Sequence, residues 1–359
     1  MFTPVFELTP AILDDLAAID AARLAIAQLP IDVEMLASLR ETARLGATHY
    51  STQIEGNRLS DFEVSLVVAG AKLAGRERDE VEVRNYYRAI DIVEELALTN
   101  APIGEKDIQL IHGWLMQGRS TRTPYRDGQN VIRDSRTGGI VYLPPEAADV
   151  PALMTQLVEW LAGQPPLPAP VIAAIAHYQF ATIHPYYDGN GRTARLLTTL
   201  LLWKLGFSLK GIYNLEEYYA KNLDGYYDAL NVGSSHNYYF GRAEAPITPF
   251  IAYFCRGMAD ALEAVQRQAE RTAQRGGSDN SVTLRLLDAK QRLALTLFRR
   301  QAIVTTQDLA DHLNLGARTV HKLCDTWCAA GFLVVHDASR KRRAFRLAES
   351  YESLITNIY

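Results

Sequence analysis

The sequence predicts a mainly α-helical protein with one short β-hairpin near its middle and a small domain of mixed helix and strand at its C-terminus. Three observations carry that reading. Apolar residues recur three and four apart through most of the first 270 positions, the mark of helices with one buried face. The pattern breaks once, at two strand-like runs between residues 130 and 143. A polar stretch from Arg275 to Asn280 then separates this body from a segment patterned differently.

Residues 11–29 and 33–55 read as two amphipathic helices broken at Pro30. Further helices are expected at about 60–74, 79–98, 105–117, 148–162, 170–182, 192–205, 215–232 and 246–270, punctuated by Gly and Pro. Asn130-Val131-Ile132-Arg133 and Ile140-Val141-Tyr142-Leu143 flank Ser135-Arg136-Thr137-Gly138-Gly139 as a hairpin, which Pro144-Pro145 ends. Gln164 to Pro170 is a stiff, proline-rich connector between two helices, and no repeat of fixed period is present. In the C-terminal segment Thr306 to Leu313 opens on an N-cap threonine, Asn314-Leu315-Gly316 turns, and a second helix runs from Ala317 to Ala330, which is helix-turn-helix spacing. The strands Phe332 to Val335 and Ala344 to Leu347 then flank Ser339-Arg340-Lys341-Arg342-Arg343, so the unit over 281–359 looks like a winged helix with a basic wing tip.

Composition narrows the function. With 359 residues and 48% hydrophobic content the chain can bury a substantial core in two or three domains. No basic N-terminal region leads into an apolar run, and no segment offers eighteen uncharged apolar residues, so neither secretion nor membrane spanning is expected and a cytoplasmic location fits best. Cys255, Cys324 and Cys328 cannot complete a disulfide framework, and reduced thiols are expected. The net charge of −4 is unevenly spread, with 12 Lys and Arg against 7 Asp and Glu from Ser281 onward and 25 against 34 before it. A basic tail on an acidic body hints at nucleic acid for the tail, with Arg318, Thr319 and Lys322 where a recognition helix would face a groove. A winged helix used for dimer contacts or for docking a protein fits equally, and the residues leave that choice open. His321, Cys324 and Cys328 share a helix face, but no second ligand pair accompanies them, and small thiols pack readily in cores.

The richest chemistry lies in His184-Pro185-Tyr186-Tyr187-Asp188-Gly189-Asn190-Gly191-Arg192-Thr193-Ala194-Arg195, a loop leading into the apolar helix that follows. A helix start presents unpaired N–H groups and the positive end of a dipole, and Gly189 and Gly191 let a polyphosphate come close to the backbone. Arg192 and Arg195 fall on one helix face. A histidine with an ordinary pKa of about 6.5 is mostly free base at neutral pH, so His184 can accept a proton from an attacking hydroxyl. Asp188 supplies a hard oxygen for Mg²⁺, which binds through one or two carboxylates plus substrate phosphates, and Asn190 can donate to a phosphate oxygen as charge builds. Gly70 to Gly75 has P-loop spacing, yet Arg76-Glu77 follows it, and the stretch reads as a helix end.

This run resembles the signature of the Fic family, HPFx(D/E)GNGRxxR, at eight of nine specified positions, with Tyr186 in place of Phe. The resemblance implies a Fic helical core over 101–275 preceded by a helical region over 1–100, and an enzyme of the nucleotidyltransferase class that moves AMP from Mg-ATP to a Tyr, Thr or Ser hydroxyl of a protein. It assigns His184 and Asn190 to catalysis, Gly189, Asn190, Gly191, Arg192 and Arg195 to ATP, and Asp188 to the metal. The 130–143 hairpin resembles the Fic flap, which holds a target segment by strand pairing. Leu223 to Asn231 resembles the region that stacks adenine, with Tyr226 or Tyr227 as the platform. Ser51 and Glu55 lie four apart on one helix face, and Ser51 to Asn57 resembles the (S/T)xxxE(G/N) inhibitory motif of the subclass with an N-terminal inhibitor. In that subclass the glutamate pairs with the second signature arginine, here Arg195, which then cannot also grip the γ-phosphate. The resemblance leaves two other roles open. One is AMP removal, with Glu55 aligning a water; the other is a DNA-binding regulator whose core senses nucleotide.

Overall fold

The computed structural model describes residues 2–28, 33–133, 138–233, 235–274, 287–298, 300–313, 315–337, 339 and 343–356. The Pro30 break, the hairpin turn at 135–137, the polar break at 275–280, the turn residue Asn314 and the wing residues 340–342 lie outside the described residues. In order come the helices α1 (Pro10–Gln28), α2 (Val33–Ile54), α3 (Asp61–Val68), α4 (Glu77–Ala97) and α5 (Glu105–Gln117), then the strands β1 (Ile132–Arg133) and β2 (Ile140–Tyr142). The body continues with α6 (Val150–Ala162), α7 (Ala169–Ile183), α8 (Asn190–Leu202), α9 (Glu216–Lys221), α10 (Leu223–Leu230) and α11 (Thr248–Gln274). No described helix is long and apolar enough to cross a membrane.

α7 lies at the centre because its sequence is apolar on every side and rich in alanine, so neighbours approach closely all round, and nearly every residue from Pro170 to Ile183 is buried. α8, α11 and α6 pack against it, and α1 lies along α11. β1 and β2 pair antiparallel with Ile132 opposite Tyr142. Leu143 continues this edge, its N donating to His236 O at 2.8 Å and its O accepting from Tyr238 N at 3.0 Å.

Four helices differ from their expected ends by three residues or more; α11 runs four past 270 to Gln274, and the other three stop or divide for a local reason. α3 stops at Val68 instead of 74, since Gly70 turns left-handed at φ 93°. α8 stops at Leu202 instead of 205 and runs into a wide turn where Gly206 takes φ 87°. The expected 215–232 helix divides in two at Asn222, which leaves the helical region (φ −122°, ψ 43°) while both its N and its Nδ2 donate to Tyr218 O at 3.0 Å.

The C-terminal unit runs α12 (Ala289–Phe298), β3 (Val304–Thr305), α13 (Thr306–Leu313), α14 (Ala317–Ala329), β4 (Leu333–Asp337), β5 (Ala344–Leu347) and α15 (Glu349–Thr356), with an antiparallel sheet in the order β3-β5-β4. Leu309, Val320, Trp327, Phe332 and Phe345 form its core. The threonine that caps α13 is Thr305, one residue earlier than expected. Its Oγ1 accepts from Asp308 N at 3.1 Å, while Asp308 Oδ2 accepts from Thr305 N at 2.8 Å. Arg318, Thr319, His321 and Lys322 are exposed on α14, while Cys324 is buried in the core.

Candidate active site

The site is organised by the loop between α7 and α8. α7 ends at His184, whose backbone is left-handed (φ 51°, ψ 58°), and α8 is capped by Gly189, also left-handed at φ 77°. A β-carbon at Gly189 would lie 2.8 Å from Met116 Sδ and 3.1 Å from His112 Nε2, so both the conformation and the space call for glycine.

Side chains tie the loop down from several directions. Asn190 brackets Tyr186, its Oδ1 accepting from Tyr186 N at 2.9 Å and its Nδ2 donating to Tyr186 O at 2.7 Å. His112 of α5 stacks on the Tyr186 ring with centroids 3.6 Å apart, and its Nε2–H donates to Asp188 O at 2.9 Å. A carbonyl acceptor fixes that tautomer, and burial lowers the His112 pKa to about 4, so the ring stays neutral. Arg126, buried just before the hairpin, donates from Nε to His184 O at 2.9 Å and from Nη1 to Gly128 O at 3.0 Å, and Nη2 bonds Pro145 O. Its backbone N donates to Pro185 O at 2.9 Å, so the loop and the hairpin base share one anchor.

The His184 ring is partly buried at the end of α7, beside the Ala181 backbone. Burial lowers its pKa to about 4, with Arg126 acting in the same direction and the Ala181 backbone, Glu55 and Asp188 opposing. The ring is therefore a free base at neutral pH. Asp188 is 62% exposed, and its Oδ1 accepts from Gly189 N at 2.6 Å and from Arg192 Nη2 at 3.1 Å.

The Ser51–Glu55 face of α2 closes over the start of α8. Arg195, 1% exposed, donates from Nε to Ser51 Oγ at 2.6 Å and from Nη2 to Ser51 O at 2.9 Å and Glu55 Oε1 at 2.8 Å. Burial works against the arginine charge, and Glu55 together with Tyr226 and Tyr86 more than offsets it, so the pKa is raised. Glu55 Oε1 lies so close above Gly191 that a β-carbon there would sit 2.2 Å from it. The acid thus occupies space at the mouth of α8, where the N–H groups of the first turn have no acceptor within the helix.

The structure brings Ser51, Glu55, His184, Asp188, Gly189, Asn190, Gly191, Arg192 and Arg195 together. Three of these are committed in ways the sequence does not show. Asn190 uses its amide on Tyr186. Arg192 is buried against Glu82 of α4 as well as Asp188, and Glu82 in turn accepts from Asn57 Nδ2 at 2.9 Å. Ser51 holds Arg195 from behind. The two tyrosines expected near adenine separate. Tyr226 is 3% exposed, with its hydroxyl 2.8 Å from His177 Nε2, so it is a core residue and not an open platform. Tyr227 is 50% exposed and within electrostatic reach of Glu55 and Arg195. His112, Arg126 and Glu82 were not foreseen, because a charged or polar residue on a helix or in a loop looks like a solvated one until its partner is placed.

A family model described as Fic/DOC matches residues 102–202. The protein adenylyltransferase Fic of Drosophila willistoni is 29% identical over 196 residues, 54% of this chain and 38% of that protein. The protein of the same name from Culex quinquefasciatus is 31% identical over 210 residues, 57% of this chain and 38% of its own. The chain therefore spans less than half the length of these relatives. A Fic family protein from Desulfovibrio desulfuricans G20 superimposes with a TM-score of 0.63 and 24% identity, covering 97% of this chain and 99% of that one, a likeness of fold.

Proposed function

We propose that this chain, which carries a Fic domain, transfers AMP from ATP to a Tyr, Thr or Ser hydroxyl of a protein, itself included, and that Glu55 holds the activity down. The observation that carries the reading is the seat of Glu55. Its carboxylate lies above Gly191 and on Arg195, the place and the cation a triphosphate would need.

In the uninhibited state the start of α8 takes the phosphates, with Arg195 turned from Glu55 to the terminal phosphate. The target hydroxyl attacks the α-phosphorus. A bond from its oxygen to phosphorus forms, the bond to the bridging oxygen breaks, and pyrophosphate leaves. His184 accepts the hydroxyl proton on a ring nitrogen, which burial keeps as a free base. Backbone N–H groups of the loop hold the charge that grows on the phosphoryl oxygens, and Asn190 keeps that loop in shape. The donor set fits magnesium carried in on the nucleotide, since Asp188 is exposed and no hydrogen bond falls on its Oδ2 among the described residues; the ion would neutralise phosphate charge there. The edge of the 132–142 hairpin, anchored to the His184 loop through Arg126, suits an extended target segment paired by main-chain bonds.

Incubation with α-labelled ATP and Mg²⁺ tests the reading. Glu55→Gly is expected to raise labelling about tenfold or more over the unmodified chain. Adding His184→Ala to that variant should cut it by about a hundredfold or more, the loss expected for a general base. Equal labelling by all three proteins would refute it.

A further inference from the structure

α3 is eight residues long and apolar on opposite sides. One side, Val64 and Val67, joins Leu59, Leu73 and Val83 in a small core within the body. The other side belongs to the C-terminal unit, since Leu66 is part of that unit's core and Phe62 and Ala71 pack against it. The Phe62 ring lies 4.8 Å from His312 of α13, and His312 is itself held by Thr296 Oγ1 at 2.8 Å. A helix this short has little stability of its own, so its position is decided by what it is packed between.

α3 is also wired to the inhibitory turn with little slack. Asn57, two residues past Glu55, accepts from Leu59 N at 3.1 Å and donates to Asp79 O at 3.1 Å and Glu82 Oε2 at 2.9 Å. Leu59 is buried, and Ser60 caps α3 in a reciprocal box with Glu63. The turn thus touches both signature arginines, Arg195 through Glu55 and Arg192 through Asn57 and Glu82. Between α3 and the C-terminal unit lies a cavity of about 100 Å³ lined by Leu66, Ala69, Gly70, Ala71, Leu293 and Leu315 among others.

We propose that the C-terminal unit is a clamp on the brake: docked on α3 it holds the turn that seats Glu55, and its separation from α3 releases AMP transfer. This rests on the reading of Glu55 as inhibitor. It names the element whose two positions, docked and undocked, would couple an event at the C-terminal unit to the active site.

The test uses the full chain with Leu66→Asp and, from the other side of the contact, Leu315→Asp, each read by α-labelled ATP and by amide hydrogen exchange over residues 56–68. Both substitutions are expected to speed exchange there and to raise labelling about fivefold or more, with no further rise when added to Glu55→Gly. Should Leu66→Asp prevent folding, Phe62→Ala at the partly buried edge carries the same expectation. Faster exchange with labelling still at the unmodified level, while Glu55→Gly is active, would overturn the clamp and leave the inhibitory glutamate standing. An inert Glu55→Gly would instead remove the inhibitor reading and the clamp with it.

Discussion

Tyr186 differs from the phenylalanine of the signature by one oxygen, and the structure shows what that oxygen costs. The ring is buried, stacked on His112, and its hydroxyl has no hydrogen-bond partner among the described residues. A buried hydroxyl without a partner costs roughly 1–3 kcal/mol. Tyr186→Phe is therefore expected to stabilise the chain by about 1 kcal/mol, read as a higher urea midpoint at unchanged slope, with labelling of the Glu55→Gly background within about twofold. A lower midpoint would mean that the hydroxyl is satisfied. Residues of the 184–195 run are legible in sequence because their types and order stay together. Residues that act on the run from far away are not. His112, Arg126 and Glu82 meet it across 76, 58 and 110 positions, and nothing local to them marks the meeting.

Among elements, the long helices were legible because their buried stripes repeat over several turns, as in α4 with Val83, Tyr86, Ala89, Ile90 and Val93. The ends of short helices were less legible, since α3 is apolar on opposite sides and shows no single stripe to mark its end, and the split between α9 and α10 falls at a single asparagine. The pairing of α4 with α8 was also hidden, and it carries a prediction. Arg192 and Glu82 have side chains 7% and 12% exposed, and Glu82 is the better sealed of the arginine's two acidic partners. Removing one member of such a pair strands the other, at a cost of about 3–5 kcal/mol. Glu82→Ala is expected to lower stability by that amount and Glu82→Gln, which keeps the hydrogen bond to Asn57, by less, as measured by urea unfolding. Equal stability of Glu82→Ala and the unmodified chain would show that Asp188 alone suffices for Arg192.

Across the whole molecule, the central helices bury histidines as neutral rings. Burial lowers His177 to about 3 and His112 and His184 to about 4, against an ordinary value of about 6.5. His177 is locked between Thr198 Oγ1 and Tyr226 OH, both at 2.8 Å, and His112 lies between the Tyr186 ring and the Asp188 carbonyl. The unfolded chain binds protons at these sites below about pH 6.5 and the folded chain does not until about pH 4, so the unfolded state holds more protons in between and stability must fall as pH drops through that window. Glu216 works the other way. Burial raises its pKa despite the Arg195 charge and the Tyr86 hydroxyl bond, so the folded state regains some stability as that carboxyl protonates. His49 and His312 are lowered by burial as well, and Asp15 is raised with Glu216, so five histidines stand against two acids and set the direction. The melting temperature is expected to be flat from about pH 8 to 7 and to decline steeply from about pH 6.5 to 4.5, by an amount on the order of a few kcal/mol in unfolding free energy. A melting temperature unchanged down to pH 4.5 would mean that these rings are not held neutral through that window.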